Sequence, residues 1–286
     1  MRLYLFADSG EACIGIEKDG FLYDVSDIAG DDMISLIEYF EDYREEFLER
    51  LNEEDAKKIE IGNAFILAPY YNPQKIICIG KNYLEHCNEA NANPPSKPVV
   101  FSKYITAIIG NDDYIIHPEE TNQLDYEGEL AVIIGKEGKR ISKENAFDYV
   151  FGYSIINDVS ARDLQFSEGQ WVRAKSLDTF APFGPCIVTK DEIENPQNLR
   201  IQTRLNGELM QDDNTGSMIF KIPDLIEFVS RNITLVPGDI ISTGTPSGVG
   251  HFKNPPRYLV PGSEVEVEIE KIGILRNKVK EYSEWN

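Results

Sequence analysis

Cysteine, histidine and cationic side chains are all scarce in this chain. Its four cysteines, Cys13, Cys78, Cys87 and Cys186, lie far apart among 286 residues and form no C-x-x-C pair. That spacing excludes a disulfide framework and a structural zinc knot, and it leaves reduced thiols in a cytoplasmic protein as the expectation. No segment approaches the roughly 20 consecutive apolar residues of a membrane span, and the opening 15 residues lack a basic region followed by an apolar stretch. Lysine and arginine number 28 against 49 aspartates and glutamates, a formal net charge of −21. A protein so negative repels nucleic acid and anionic membrane surfaces before contact. A small anionic substrate remains admissible if a local cationic group or a bound metal overcomes that repulsion, which salt screens beyond roughly 8–10 Å.

What is present is an ordinary globular composition, 42% hydrophobic and 27% charged, in a chain long enough to bury a substantial core. Residues 1–70 open with alternating segments (Leu3, Leu5; Ile14, Ile16). Ile34, Ile37, Phe40, Phe47, Leu48 and Leu51 then fall near helical spacing, so a small N-terminal β/α domain is predicted. Pro69 and Pro73 mark a linker. From residue 75 to 286, short apolar runs recur between turn signals: Lys75–Gly80, Pro98–Phe101, Glu129–Gly135, Val150–Ile156, Ile187–Thr189, Ile201–Leu205, Asp239–Thr243 and Glu264–Glu270. A short helix is predicted over Pro223–Ser230, with proline at its first position, and another beginning within Ser160–Glu168. Strands dominate without regular β-α alternation, which predicts an α+β fold: a mixed, mostly antiparallel β-roll with the small domain in front.

Three stretches concentrate chemistry. In Leu124–Ile134, Asp125, Glu127 and Glu129 alternate just before a strongly apolar run, so on a strand they share one face and follow it toward the core. A solvated strand edge is the plain alternative. If buried, clustered carboxylates call for a cation, and hard oxygen ligands select Mg²⁺, Mn²⁺ or Ca²⁺ over zinc. In Tyr153–Gln165, Asp158 ends an apolar strand, and Arg162 and Gln165 follow at helical spacing; Arg162 could equally pair with Asp158 or Asp163. His86, one of three histidines, lies three residues from Glu89, whose carboxylate could hold the imidazole as a general base. An incidental histidine is the plain alternative here too. Weaker signals are Trp171–Phe180, offering Lys175 or Arg173 to an anionic oxygen, and the Gly/Thr-rich Ser242–Gly250, whose backbone N–H groups could hold a carboxylate.

Taken in order, Lys-Ile-Ile-Cys-Ile-Gly-Lys-Asn-Tyr-x-x-His, Asp-Tyr-Glu-x-Glu-Leu-Ala-Val-Ile-Ile-Gly, Gly-Tyr-Ser-Ile-Ile-Asn-Asp-Val-Ser-Ala-Arg-Asp-Leu-Gln, Lys-Ser-Leu-Asp-Thr-Phe and Thr-Gly-Thr-Pro-Ser-Gly-Val-Gly resemble the fumarylacetoacetate hydrolase family from Lys75 to about Val279. The resemblance implies that Glu127, Glu129 and Asp158 hold Mg²⁺ or Mn²⁺, with Asp125 behind them. It also implies that Lys175 faces substrate oxygens, that Arg162, Gln165, Thr245 and Tyr83 contact substrate, and that His86 with Glu89 activates water from a lid over Asn82–Lys97. Cys87 departs from the alanine expected beside His86. The implied reaction is C–C hydrolysis of an acylpyruvate or related diketo acid by a homodimer. Oxaloacetate decarboxylation and isomerisation of a hydroxyheptadienedioate are the alternatives on the same site. A sugar-acid dehydratase, a ureido-acid lyase and a non-catalytic binding protein are the more distant ones.

Overall fold

The computed structural model describes residues 1–285. Its centre is a 12-stranded sheet built on two neighbouring strands, Gly128–Ile134 and Val150–Asn157, every residue of which is buried. Along the first of them, alternate side chains feed opposite sides of the sheet. Ala131 and Ile133 join one apolar cluster, and Leu130, Val132 and Ile134 join the other. Burial on both faces explains why this strand reads as a continuous apolar run, and each Val, Leu or Ile so buried contributes about 1.5–3 kcal/mol.

The sheet extends one way through Ile240–Ser242 and Ile76–Gly80 to the edge strand Val99–Lys103. The other way it runs through Ala181–Thr189 to Arg2–Asp8, Glu11–Lys18, Phe21–Asp24 and Lys58–Glu60. A five-stranded sheet, ordered Glu208–Asn214, Arg200–Leu205, Glu264–Ile269, Gly273–Glu281 and Tyr114–His117, packs over the two central strands. Pairing is mostly antiparallel, with parallel pairs at Ile240–Ser242 against Ile76–Gly80, Gly273–Glu281 against Tyr114–His117, and Ala181–Thr189 against Ile108–Ile109. The α+β roll expected from the strand-rich pattern is therefore the fold.

Three sequence expectations are refined. The N-terminal segment has the predicted strands and three helices, Ser26–Ala29, Met33–Glu38 and Phe40–Arg50. Its first strand, however, pairs Leu3 with Ile187, so the N-terminal unit and the rest share one sheet across the 70–75 connection. The short late helix spans Ile222–Ser230, which puts Pro223 second rather than first. Asp125, Glu127 and Glu129 do not lie on one regular strand: Leu124–Asp125 forms a separate ladder with Ser160–Ala161 before Gly128–Ile134 begins. Gly128, between the two glutamates, meets the second sheet so closely that a Cβ there would stand 2.4 Å from Thr203 Oγ1. Among the described residues, no helix is long and apolar enough to cross a membrane.

Candidate active site

The last rung of the central strand pair, Gly128 opposite Asn157, sets the site. Glu127 precedes it, Asp158 follows it, and the Asp158 N–H donates to the Glu127 carbonyl at 2.8 Å. With Glu129, these residues place three carboxylate oxygens within 4.8 Å of one another, all buried. Like charges held this close out of water need compensation. Lys175 supplies part of it, donating to Asp158 Oδ2 (2.7 Å), Glu127 Oε2 (3.0 Å) and Ser160 Oγ (2.7 Å). Arg162 bridges Glu127 Oε1 (2.6 Å) and Asp125 Oδ2 (2.9 Å). Lys103, which nothing in the sequence singled out, donates to Asp158 Oδ1 at 2.5 Å and to the Val159 carbonyl.

Glu129 and Glu127 titrate in opposite directions. Burial raises Glu129 well above the ordinary glutamate range, and repulsion from Asp158 and Glu127 raises it further; Ser242 and the Gly244 N–H donate to Oε2 in partial relief. Burial also opposes the charge on Glu127, but Lys175 and Arg162, then His86, outweigh it and hold that carboxyl below its usual range. Burial pushes the Lys103 ammonium down despite Asp158, whereas Asp158 and Glu127 lift Lys175 above its ordinary value against the same burial.

These groups line a cavity of about 330 Å³, small for a ligand site. Glu127, Glu129, Lys175, Arg162, Gln165, Thr245 and His86 face it together with Ile79, Phe101, Trp171, Phe166 and Phe252. The helix Leu84–Glu89 brings His86 to its mouth, where Nδ1 is 2.7 Å from Glu89 Oε1. Glu89 Oε2 accepts from the Gly248 N–H at 2.8 Å, tying the helix to the Gly/Thr-rich loop. With Nδ1 engaged, Nε2 is the nitrogen free to move a proton. The only cavity-lining imidazole is therefore fixed in orientation.

Two expected contacts are placed differently. Tyr83 is fully buried in the apolar core with its hydroxyl unpartnered, and it is not among the cavity walls. Lys175 reaches the cavity, but its three N–H donors are all engaged by Glu127, Asp158 and Ser160 rather than left for substrate oxygens. Thr245 lines the cavity while its hydroxyl donates to the Gly128 carbonyl, so an incoming carboxylate would have to meet backbone amides of its loop. Arg162 Nη2, in contrast, is a buried donor without a partner, and Gln165 accepts from Arg162 through Oε1, which leaves its amide NH₂ for a ligand. Asp125 sits behind, saturated by Arg162 and the N–H groups of Tyr126, Gly250 and His251. Gln211, not anticipated, holds the Gly128 N–H, the Thr245 hydroxyl and the Pro246 carbonyl together.

The donor set fits a hard divalent cation. Four buried carboxylates face three buried cations, and the ammonium of Lys175 already nests between two of the three candidate ligands. A dication there would turn a site of net negative charge into one that attracts an anion.

Residues 75–280 match the model of the fumarylacetoacetate (FAA) hydrolase C-terminal family. The chain belongs to the fumarylacetoacetate hydrolase family. It is similar to the rat mitochondrial oxaloacetate tautomerase Fahd2a, with 50% identity over 214 residues, 74% of this chain and 68% of that protein. Among solved structures, the fumarylacetoacetate hydrolase of Exiguobacterium antarcticum is 44% identical with a TM-score of 0.86, covering 98% of this chain and 99% of that one. The maleylpyruvate hydrolase of Sphingobium sp. SYK-6, in complex with manganese(II) and pyruvate, is 30% identical with a TM-score of 0.83, covering 98% and 99%. As a member of this fumarylacetoacetate hydrolase family of hydrolases, isomerases and oxaloacetate tautomerases, the protein is an enzyme.

Proposed function

We propose that the protein is a divalent-cation-dependent enolising enzyme of small 2-oxo acids, and that keto–enol tautomerisation of oxaloacetate is its leading reaction. The observation that carries the reading is the His86–Glu89 pair: one oriented imidazole with Nε2 free, facing three carboxylates suited to a cation. Glu127, Glu129 and Asp158 would hold Mg²⁺ or Mn²⁺, which when bound supplies the Lewis acidity that makes the C3–H of a chelated 2-oxo acid acidic. Arg162 Nη2 and the Gln165 amide orient the substrate carboxylate. His86 Nε2 takes the proton from C3 as the C2–C3 double bond forms and the C2=O π bond opens, and the C2 oxygen takes a proton from water; in the reverse direction the enol O–H gives its proton to water and His86 returns one to C3. Glu89 keeps the ring in the tautomer protonated at Nδ1 and stabilises the imidazolium. Lys175 pairs with Glu127 and Asp158 in the absence of the cation.

Half-identity to an oxaloacetate tautomerase favours this reaction over the hydrolysis that the sequence motifs suggest first. Hydrolysis of an acylpyruvate-type diketo acid is the second reading, favoured by the full-length likeness to the maleylpyruvate hydrolase; there His86 would deprotonate water. Four unpaired buried cysteines fit a reducing compartment such as the cytoplasm. A homodimer is proposed from the family, to be checked by light scattering.

The test follows oxaloacetate ketonisation by loss of enol absorbance, and acetylpyruvate and maleylpyruvate cleavage by pyruvate release, with Mg²⁺ or Mn²⁺ and after EDTA. Acceleration of ketonisation that EDTA removes supports the proposal. Diketone cleavage without it shifts the assignment to a hydrolase, and no cation-dependent change in any of the three defeats both.

A further inference from the structure

Lys81 is left over by the mechanism, and its backbone makes it conspicuous. It lines the active-site cavity between Gly80 and Asn82 and adopts φ +57°, a left-handed conformation that costs a non-glycine residue about 1–3 kcal/mol. The neighbours enforce that turn. A Cβ on Gly80 would stand 2.5 Å from the Trp171 ring. Asn82 is clamped through Nδ2 to the Phe220 and Thr243 carbonyls and through Oδ1 to the Phe220 N–H. Glycine would satisfy the turn without strain, so the lysine side chain must be retained for something else.

Its charge is also uncommitted. Lys103, Lys175 and Arg162 all pair with buried carboxylates, whereas Lys81 has no carboxylate within 4.0 Å among the described residues. The Cys87 thiol, next to His86, donates to the Lys81 carbonyl at 3.5 Å, so Lys81 sits beside the helix that carries His86. The cavity thus has two cationic residues with donors to spare: Arg162, whose Nη2 is buried without a partner, and Lys81, a partly exposed residue of the cavity wall.

We infer that Lys81 is a specificity-determining residue that binds the second, distal carboxylate of a dicarboxylic 2-oxo acid, while the 2-oxo acid end lies against Arg162 and the triad. This deepens the proposed function and rests on it. A diacid satisfies both cations and a monoacid leaves Lys81 without a counter-charge, so the protein selects diacids although its net charge repels them.

The experiment measures calorimetric Kd values of 2-oxoglutarate and 2-oxopentanoate, which differ by a carboxylate in place of a methyl group, with the Mg²⁺-loaded protein, its Lys81→Gly and Lys81→Arg variants, and without Mg²⁺. In the unmodified protein the diacid is expected to bind about tenfold more tightly, an advantage that shrinks with added salt. Lys81→Gly brings the ratio close to one with an equal or higher melting temperature, because strain is relieved, and Lys81→Arg keeps the preference. A ratio unchanged by Lys81→Gly, with both acids still bound in a Mg²⁺-dependent manner, overturns the assignment of Lys81 alone. Binding of neither acid overturns it together with the 2-oxo acid reading.

Discussion

Glu127, Glu129 and Asp158 sit at the ends of two strands whose residues are all buried, whereas His86 rides on a six-residue helix in which only it and Cys87 are buried. The floor of the cavity is held by charge: three cations, two N–H or O–H donors and two apolar clusters fix the carboxylates. The cover is held by the Glu89–Gly248 hydrogen bond and the Asn82 clamp at its base. Opening it at Gly248 costs about 1 kcal/mol, and removing one partner of a buried pair in the floor costs about 3–5 kcal/mol. The carboxylates are therefore held more firmly than His86, the proposed proton-moving group.

That contrast can be broken most severely at Glu127. Glu127→Ala is expected to abolish calorimetric Mg²⁺ binding and to lower turnover roughly a thousandfold or more, with a lower melting temperature because Lys175 and Arg162 lose their partner. Glu127→Gln separates the two effects by restoring most of the stability without the charge; normal Mg²⁺ affinity in it would refute the triad. Lys103→Met should lower stability by about 3–5 kcal/mol in urea denaturation, since it leaves Asp158 Oδ1 without its cation while Lys175 holds only Oδ2, and an unchanged midpoint would show that the floor does not depend on it.

At the cover, His86→Ala should lower turnover by about 10²–10⁴-fold while stability and Mg²⁺ affinity stay near those of the unmodified enzyme. A variant that loses metal binding as well would erase the division between floor and cover. The smallest effect lies away from the cavity, where Arg44 of the N-terminal unit pairs with Asp191 at 2.7 Å. Burial resists the charge on Asp191, but Thr189 and Arg44 bring it down to about 2. A carboxyl depressed in the folded state adds stability above its unfolded pKa and loses it as pH falls through the folded value. Asp191→Asn should therefore cost about 1 kcal/mol or less at neutral pH, a difference that disappears between about pH 4 and 2.

Alternation along a strand and spacing along a helix made the acidic run, Asp158, and the His86–Glu89 pair legible as candidates, because each relation is local along the chain. The irregular backbone between Asp125 and Gly128 was not, since the glycine at its end answers to Thr203 and Val267 on two distant strands. Lys103 reads like any edge-strand lysine until the fold brings Asp158 to it across 55 residues. Gln211 likewise acts only through Gly128 and Thr245. Tyr83 shares a motif with His86, yet packing turns its side chain into the core. The antiparallel roll followed from strand-rich punctuation, while the sheet shared across the linker did not, because an alternating N-terminal strand does not name its partner.

That shared sheet imposes an order of events during synthesis. The strand Arg2–Asp8 is made well before its partner in the sheet and can form a hairpin with Glu11–Lys18 at once, but its other edge, covered at Phe6 and Ala7 by Phe65–Ile66, waits at Arg2 and Leu3 for Ile187 and Val188. At about 5–20 residues per second the ribosome leaves that edge open for roughly ten to forty seconds. During that interval an apolar strand with free N–H and C=O groups is exposed to any neighbouring chain, so the nascent protein needs protection until Ile187 and Val188 have emerged.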